Sequence, residues 1–168
     1  MACPLTQSYT PRDCKAPAGV VSYILTPFAN MLTSTVTANV VTAITKTLTW
    51  KQYKQDPEIA DWKYTLSSDG KTGTYGYDFE ATFQTKGVEI LDQVELELLT
   101  KNKLVLIAEM ADGTYYMLGK DYGAHVVADA FESGVAFNDF QGSKVSIKGR
   151  AKSKMLKVDS AIIAGLLV

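Results

Sequence analysis

YGYDFEATFQT, Tyr75–Thr85, sets Tyr75, Tyr77, Phe79, Ala81 and Phe83 on one side of an extended backbone and Gly76, Asp78, Glu80, Thr82 and Gln84 on the other. Successive side chains of a strand point to opposite faces. The alternation therefore predicts a long strand with one dry face and one wet or partner-facing face. Just upstream, Asp61–Ser68 places Trp62, Tyr64 and Leu66 on one face, and Ser67-Ser68-Asp69-Gly70 supplies a turn.

Downstream the period changes. In VEILDQVELELLTK, Val88–Lys101, the apolar residues Leu91, Val94 and Leu98, joined by Ile90 and Leu99, recur at steps of three and four. Acidic residues lie early and Lys101 lies last, as the helix dipole favours. This predicts a helix that packs Leu91, Val94 and Leu98 on the sheet face carrying Tyr77, Phe79 and Phe83. KLVLIAEM, Lys103–Met110, then reads as a strand, Ala111-Asp112-Gly113 as a turn, and Thr114–Leu118 as the returning half of a hairpin. Gly119–Gly142 is punctuated by glycine, with short strands expected near Ala124–Ala128 and Gly134–Asn138. Ser143–Gly149 alternates Val145 and Ile147 against Lys144, Ser146 and Lys148.

Toward the N-terminus, VVSYILTPF (Val20–Phe28) is a strand ended by Pro27, and the Thr- and Val-rich run Thr33–Thr49 favours strands near Val36–Val41 and Ala43–Trp50. Residues 1–19 carry Pro4, Pro11 and Pro17 without a period and read as an extended arm. The end, Lys157–Val168, is an apolar tail that must be buried in its own sheet or in a neighbour. Many strands and one helix make the chain mainly β (α+β), a single structural domain over residues 1–168.

With 168 residues, 46% hydrophobic and 21% charged, the chain has the composition of a folded domain. A domain of that size buries roughly 70% of its unfolded surface, so neither disulfides nor metals are needed to hold it. A net charge of −1, from 17 basic and 18 acidic side chains, lacks the concentrated Lys and Arg of a phosphate-binding protein. No apolar window is long enough to span a membrane, and Met1–Lys15 does not read as a signal peptide. Cys3 and Cys14 read as free thiols, with a mutual bridge or an intersubunit contact as alternatives. The ligand pairs of a zinc site are missing.

Catalytic chemistry has little to start from. His125 is the only histidine, sits among Gly123, Ala124, Val126 and Val127, and has no G-x-S-x-G nucleophile to serve. Asp129 with Glu132, and Glu95 with Glu97, could offer carboxylate pairs, but they fall on a loop and on a solvated helix face. Gly70-Lys71-Thr72 lacks the upstream glycine and the following helix of a phosphate loop. Tyr75, Tyr77, Phe79 and Phe83 could stack bases, yet their spacing fits a β core face better. No catalytic residue, cofactor or metal ligand is assigned.

Several phrases stand in a telling order. M-A-C (Met1–Cys3) and D-C-K (Asp13–Lys15) precede the long strand and the helix. LVLIAE (Leu104–Glu109), DGTYYMLG (Asp112–Gly119), SGVAFND (Ser133–Asp139) and VDSAII (Val158–Ile163) follow. This order resembles small virion structural proteins of phages and prophages of Bacteroidetes, crAss-like phages among them. The resemblance implies a tail-tube-like fold, a β-sandwich or half-barrel with one flanking α-helix. It implies homo-oligomeric rings of the tail tube, neck or head-tail connector, six- or twelve-fold, assembled in the host bacterial cytoplasm and carried in the virion. Partners would be other phage tail, neck or portal proteins. DNA would only pass through, without specific binding, and no membrane would be involved. Ring contacts are expected to be partly strand addition at open sheet edges, with the arm serving assembly. Asp78, Glu80, Thr82 and Gln84 are the candidate channel or partner face. The alternatives are a capsid-decorating protein or a host- or carbohydrate-binding module, which exposed Tyr115, Tyr116 and Tyr122 would favour.

Overall fold

A computed structural model describes residues 17–87 and 89–168 of the chain. In chain order its elements are β1 (Val20–Pro27), β2 (Met31–Thr37), β3 (Val40–Lys46), β4 (Lys51–Lys54), β5 (Asp61–Asp69) and β6 (Thr74–Lys86), then α1 (Ile90–Lys101). There follow β7 (Leu104–Met110), β8 (Tyr115–Leu118), β9 (Ala124–Glu132), β10 (Gly142–Ala151), β11 (Leu156–Val158) and α2 (Ser160–Leu167).

Strand β7 is the spine. It pairs antiparallel with β1 along one edge and with β8 along the other. From β8 the sheet continues through β11 to β3, by a parallel step, and to β2, while β4 flanks β1. At its start β7 also meets β9 through the pair Leu104↔Ala124, and from there runs β9-β10-β6-β5. The sheet folds over at that corner. Tyr23, Leu25, Leu104, Leu106 and Ala108 of one half then share a core with Phe79, Ala81, Phe83, Val145 and Ile147 of the other.

The reverse face of β1 and β7 is also covered. Ile24, Val105 and Ile107 lie with Trp50 and Val41 in a second core that takes in Ile163 and Leu166 of α2. Coverage of both sides makes SYILT and LVLIA unbroken buried runs, the first with Ser22 and Thr26 at its ends, whereas burial along β6 and β10 largely alternates. The result is a mainly β sandwich with a flanking helix, as expected, plus a second helix.

That second helix is the use of the apolar tail. Asp159 caps it, its carboxylate accepting from the Ala161 amide at 3.0 Å, and Lys46 Nζ donates to the Leu166 carbonyl at 2.9 Å. The tail is thus packed within its own molecule.

Among the described side chains of α1, Leu96 and Leu99 are buried, whereas Val94 and Leu98, expected inside, are 49% and 48% exposed. The side chain of Leu91 lies outside the described residues. Tyr53 of β4 donates to Glu95 at 3.0 Å, which fixes the roll of the helix and leaves Leu98 facing outward.

Residues 134–138 are not a strand, because the Asp139 carboxylate takes the amides of Val135 and Ala136 and offers the backbone an alternative to a ladder. The segment Val36–Val41 is split by a two-residue hairpin turn, with Ala38 and Asn39 at φ 50° and 63°. Strand β3 stops at Lys46 and does not reach Trp50. The arm over residues 1–16, with Cys3 and Cys14, lies outside the described residues.

Candidate functional site

Alternation in β6 puts Asp78, Glu80, Thr82 and Gln84 on the outer face of the β5-β6-β10 half, and the register brings cations beside them. Arg150 Nε donates to Asp78 at 3.1 Å, and Lys148 Nζ stands 3.4 Å from Glu80. Thr82 donates to the Asp61 carboxylate, and the Gln84 amide donates to the Gln55 side chain at 3.0 Å. Lys144 reaches Glu132 at 2.8 Å. Asp61, Asp78, Glu80 and Glu132 are matched in number by Lys63, Lys144, Lys148 and Arg150, and at the ends of the same face Asp69 is matched by Lys86. Exposed pairs of this kind add little stability, but they set the field of the face, which is neutral in sum.

His125, Glu95, Glu97, Asp129 and Glu132 build no common site, and Asp129 and Glu132, expected on a loop, lie on β9. His125 is exposed on β9, opposite Lys148. Glu95 is engaged by Tyr53, Glu97 by Lys101 and Glu132 by Lys144. The Lys101 ammonium holds the Glu97 carboxyl below its usual range. Gly70-Lys71-Thr72 forms the β5–β6 turn, where the Lys71 amide donates to Asp69 at 2.9 Å. Among the described residues no three His, Cys, Asp or Glu side chains gather as metal ligands.

Where β5 and β6 run past the cover of the other half, Trp62, Tyr64, Leu66, Tyr77, Lys154 and Met155 line an open cavity of about 390 Å³. Tyr64 stacks on Phe79 at 5.8 Å and donates to the Ser153 carbonyl at 3.0 Å. Burial, helped by the Asp121 charge, pushes its hydroxyl up to about 12. Trp62 lies 5.4 Å from the Tyr116 ring. The tyrosines nominated from sequence do not cluster. Tyr115 donates to Glu109 at 3.0 Å, and Tyr122 lies under Lys152.

Two further features had no place in the sequence reading. Leu25, Pro27, Leu48, Tyr53, Leu98, Leu99 and Leu104 help line an apolar cavity of about 360 Å³ between α1 and β1–β4. The β9–β10 loop holds Val135 and Phe137 entirely in solvent. Apolar residues inside the turn-rich phrase SGVAFND were the available signal.

The fold is a mainly β sandwich with an open sheet edge, an exposed apolar loop and two lined cavities. No protein family, curated protein or solved structure matches the chain.

Proposed function

We propose that the chain is a structural subunit of a bacteriophage particle that assembles into rings of the tail tube, neck or head-tail connector, around a DNA passage. One observation carries the reading. Among the described residues the sheet ends on one side at β2, a seven-residue strand, MLTSTVT, with neither charge nor proline and with Leu32 and Val36 exposed. Monomeric proteins blunt such edges with Lys, Pro or cover, because unpaired N–H and C=O groups recruit another chain. β4, KQYK, is blunted in that way, whereas β2 has a single bulge at Leu32, the second irregularity of the pair falling at Thr42 of β3. An edge left this open suits strand addition by a neighbouring subunit. The resemblance to virion proteins of Bacteroidetes phages supplies the setting.

Mass photometry and negative-stain microscopy of the full chain test the proposal, with rings of six or twelve expected. Thr35→Lys should leave the fold intact and abolish them. A chain that stays monomeric at every concentration would overturn the reading.

The aromatic cavity around Trp62, Tyr64 and Tyr77 favours a second reading, a host- or carbohydrate-binding module, since aromatic faces pack on sugar rings. Glycan-array binding lost in Trp62→Ala would support it.

A further inference from the structure

We infer that the β9–β10 loop of one copy inserts Val135 and Phe137 into the cavity between α1 and β1–β4 of the next. The inference rests on the ring reading and adds an anchoring contact to the strand addition at β2.

The loop is built to present these side chains. Asp139 Oδ2 accepts from the amides of Val135 at 2.9 Å and Ala136 at 2.8 Å, and the Asp139 amide returns a bond to the Ala136 carbonyl at 3.1 Å. Gly142 closes the loop with φ +153°, where an added Cβ would stand 1.9 Å from the Thr85 carbonyl oxygen. Val135 and Phe137 are nevertheless 102% and 110% exposed, so no part of the described chain covers them. A pinned loop with a bare aromatic tip loses little freedom on docking, which is the character of an interface anchor.

The cavity complements the tip. Its volume of about 360 Å³ lies in the range of formed ligand pockets, and five leucines supply much of its apolar wall, with Leu48 and Leu98 left exposed. The charges also match. Asp139 places a carboxylate beside the tip, and the amides that bind it hold that carboxyl below its ordinary range. Lys51 lines the mouth and makes no ion pair among the described residues, while Glu95 is engaged by Tyr53.

The tip does not reach the cavity of its own molecule, so a tip that fills it comes from another copy. The loop leaves the sandwich at the Glu132–Gly142 end of the β9–β10 ladder, whereas the cavity lies by Leu104, at the other end of β9. A tip and a socket on different surfaces of one subunit make a head-to-tail contact, which closes into rings or runs on as filaments. Two side chains bury far less than the roughly 800 Å² per partner of a stable pair. Closure gives every subunit two such contacts, so assembly should be all-or-none, with few intermediates.

The test uses the full chain with Phe137→Ser and Leu98→Lys, both at exposed positions, and thermal melting to confirm folding. Each variant alone should raise the concentration for half-assembly by more than about tenfold. Mixing the two should yield one-to-one dimers, because an intact tip then meets an intact socket once. A photo-crosslinking residue at position 137 of otherwise unaltered protein should label residues 48–53 or 95–102 of a second copy. Rings from Phe137→Ser at the wild-type concentration, or cross-links to residues 1–16 instead, would overturn this contact and leave the ring reading standing. A wild-type chain that never assembles would overturn both.

Discussion

Gly149 faces Phe79 across the β6–β10 ladder, and a Cβ there would stand 2.5 Å from the ring. The ring fills the space of the absent side chain and in turn carries Tyr64 stacked upon it. Gly149→Val should therefore displace Phe79 and cost about 1–3 kcal/mol as overpacking. Urea unfolding should show a lower midpoint at unchanged slope, and Phe79→Leu in the same chain should restore part of the loss. An unchanged midpoint would mean that the ring has room to move. Asp139 makes the second prediction at this scale. Its carboxyl is held below the ordinary range by the amides of Ala136 and Val135. A depressed folded-state pKa stabilises above the unfolded-state value, and the gain is lost as pH falls through the folded value. The loop should thus keep its form at neutral and mildly acidic pH and loosen below the usual carboxylate range. Protection factors of the Val135 and Ala136 amides, followed from neutral pH into acid, should fall there, and Asp139→Ala should lose them at every pH.

Among the elements, α1 separates a buried side from a periodic one. Leu99→Ala empties a core position and should cost about 2–5 kcal/mol, whereas Leu98→Asp lies on the exposed side and should cost no more than about 0.5 kcal/mol. Chemical denaturation of both variants decides it, and equal losses would contradict the orientation described. The difficulty of reading this helix is physical. Ile90, Leu91, Val94, Leu96, Leu98 and Leu99 offer two overlapping apolar stripes, and the period alone does not say which is covered. Alternation did make β5, β6 and β10 legible, and Asp112-Gly113 marked the β7–β8 hairpin. α2 was missed because eight residues are too few for a period to stand out, although Asp159 and Ser160 carried a capping signal. The outer face of β6 was likewise visible as Asp78, Glu80, Thr82 and Gln84. The cations that neutralise it were not, since Arg150 meets Asp78 from 72 residues away. Pairing across such a distance is set by the closed fold and has no local signature.

For the whole molecule, the question is what a polyanion would meet inside a ring built from this chain. Should the β5-β6-β10 face line the passage, each subunit presents Asp61, Asp78, Glu80 and Glu132 against Lys63, Lys144, Lys148 and Arg150. Phosphate binding draws its strength from released counterions and needs an excess of cations, which such a face does not supply. Pairing also ties Lys144 to Glu132, Lys148 to Glu80 and Arg150 to Asp78. Assembled rings should then let double-stranded DNA pass and hold none of it at moderate salt. Asp78→Lys together with Glu80→Lys removes two acids and adds two bases, which leaves each subunit a cationic stripe and frees Lys148 and Arg150. Rings of that variant should retain DNA at low salt and release it as salt rises. The logarithmic slope should steepen by roughly 0.9 for every phosphate newly contacted. Because all four side chains are at least partly exposed, the fold should survive, and melting curves check that independently. Tight, salt-sensitive DNA binding by the wild-type ring would contradict a neutral passage. A double variant that forms rings yet gains no DNA retention would move this face out of the bore and onto the outside of the assembly.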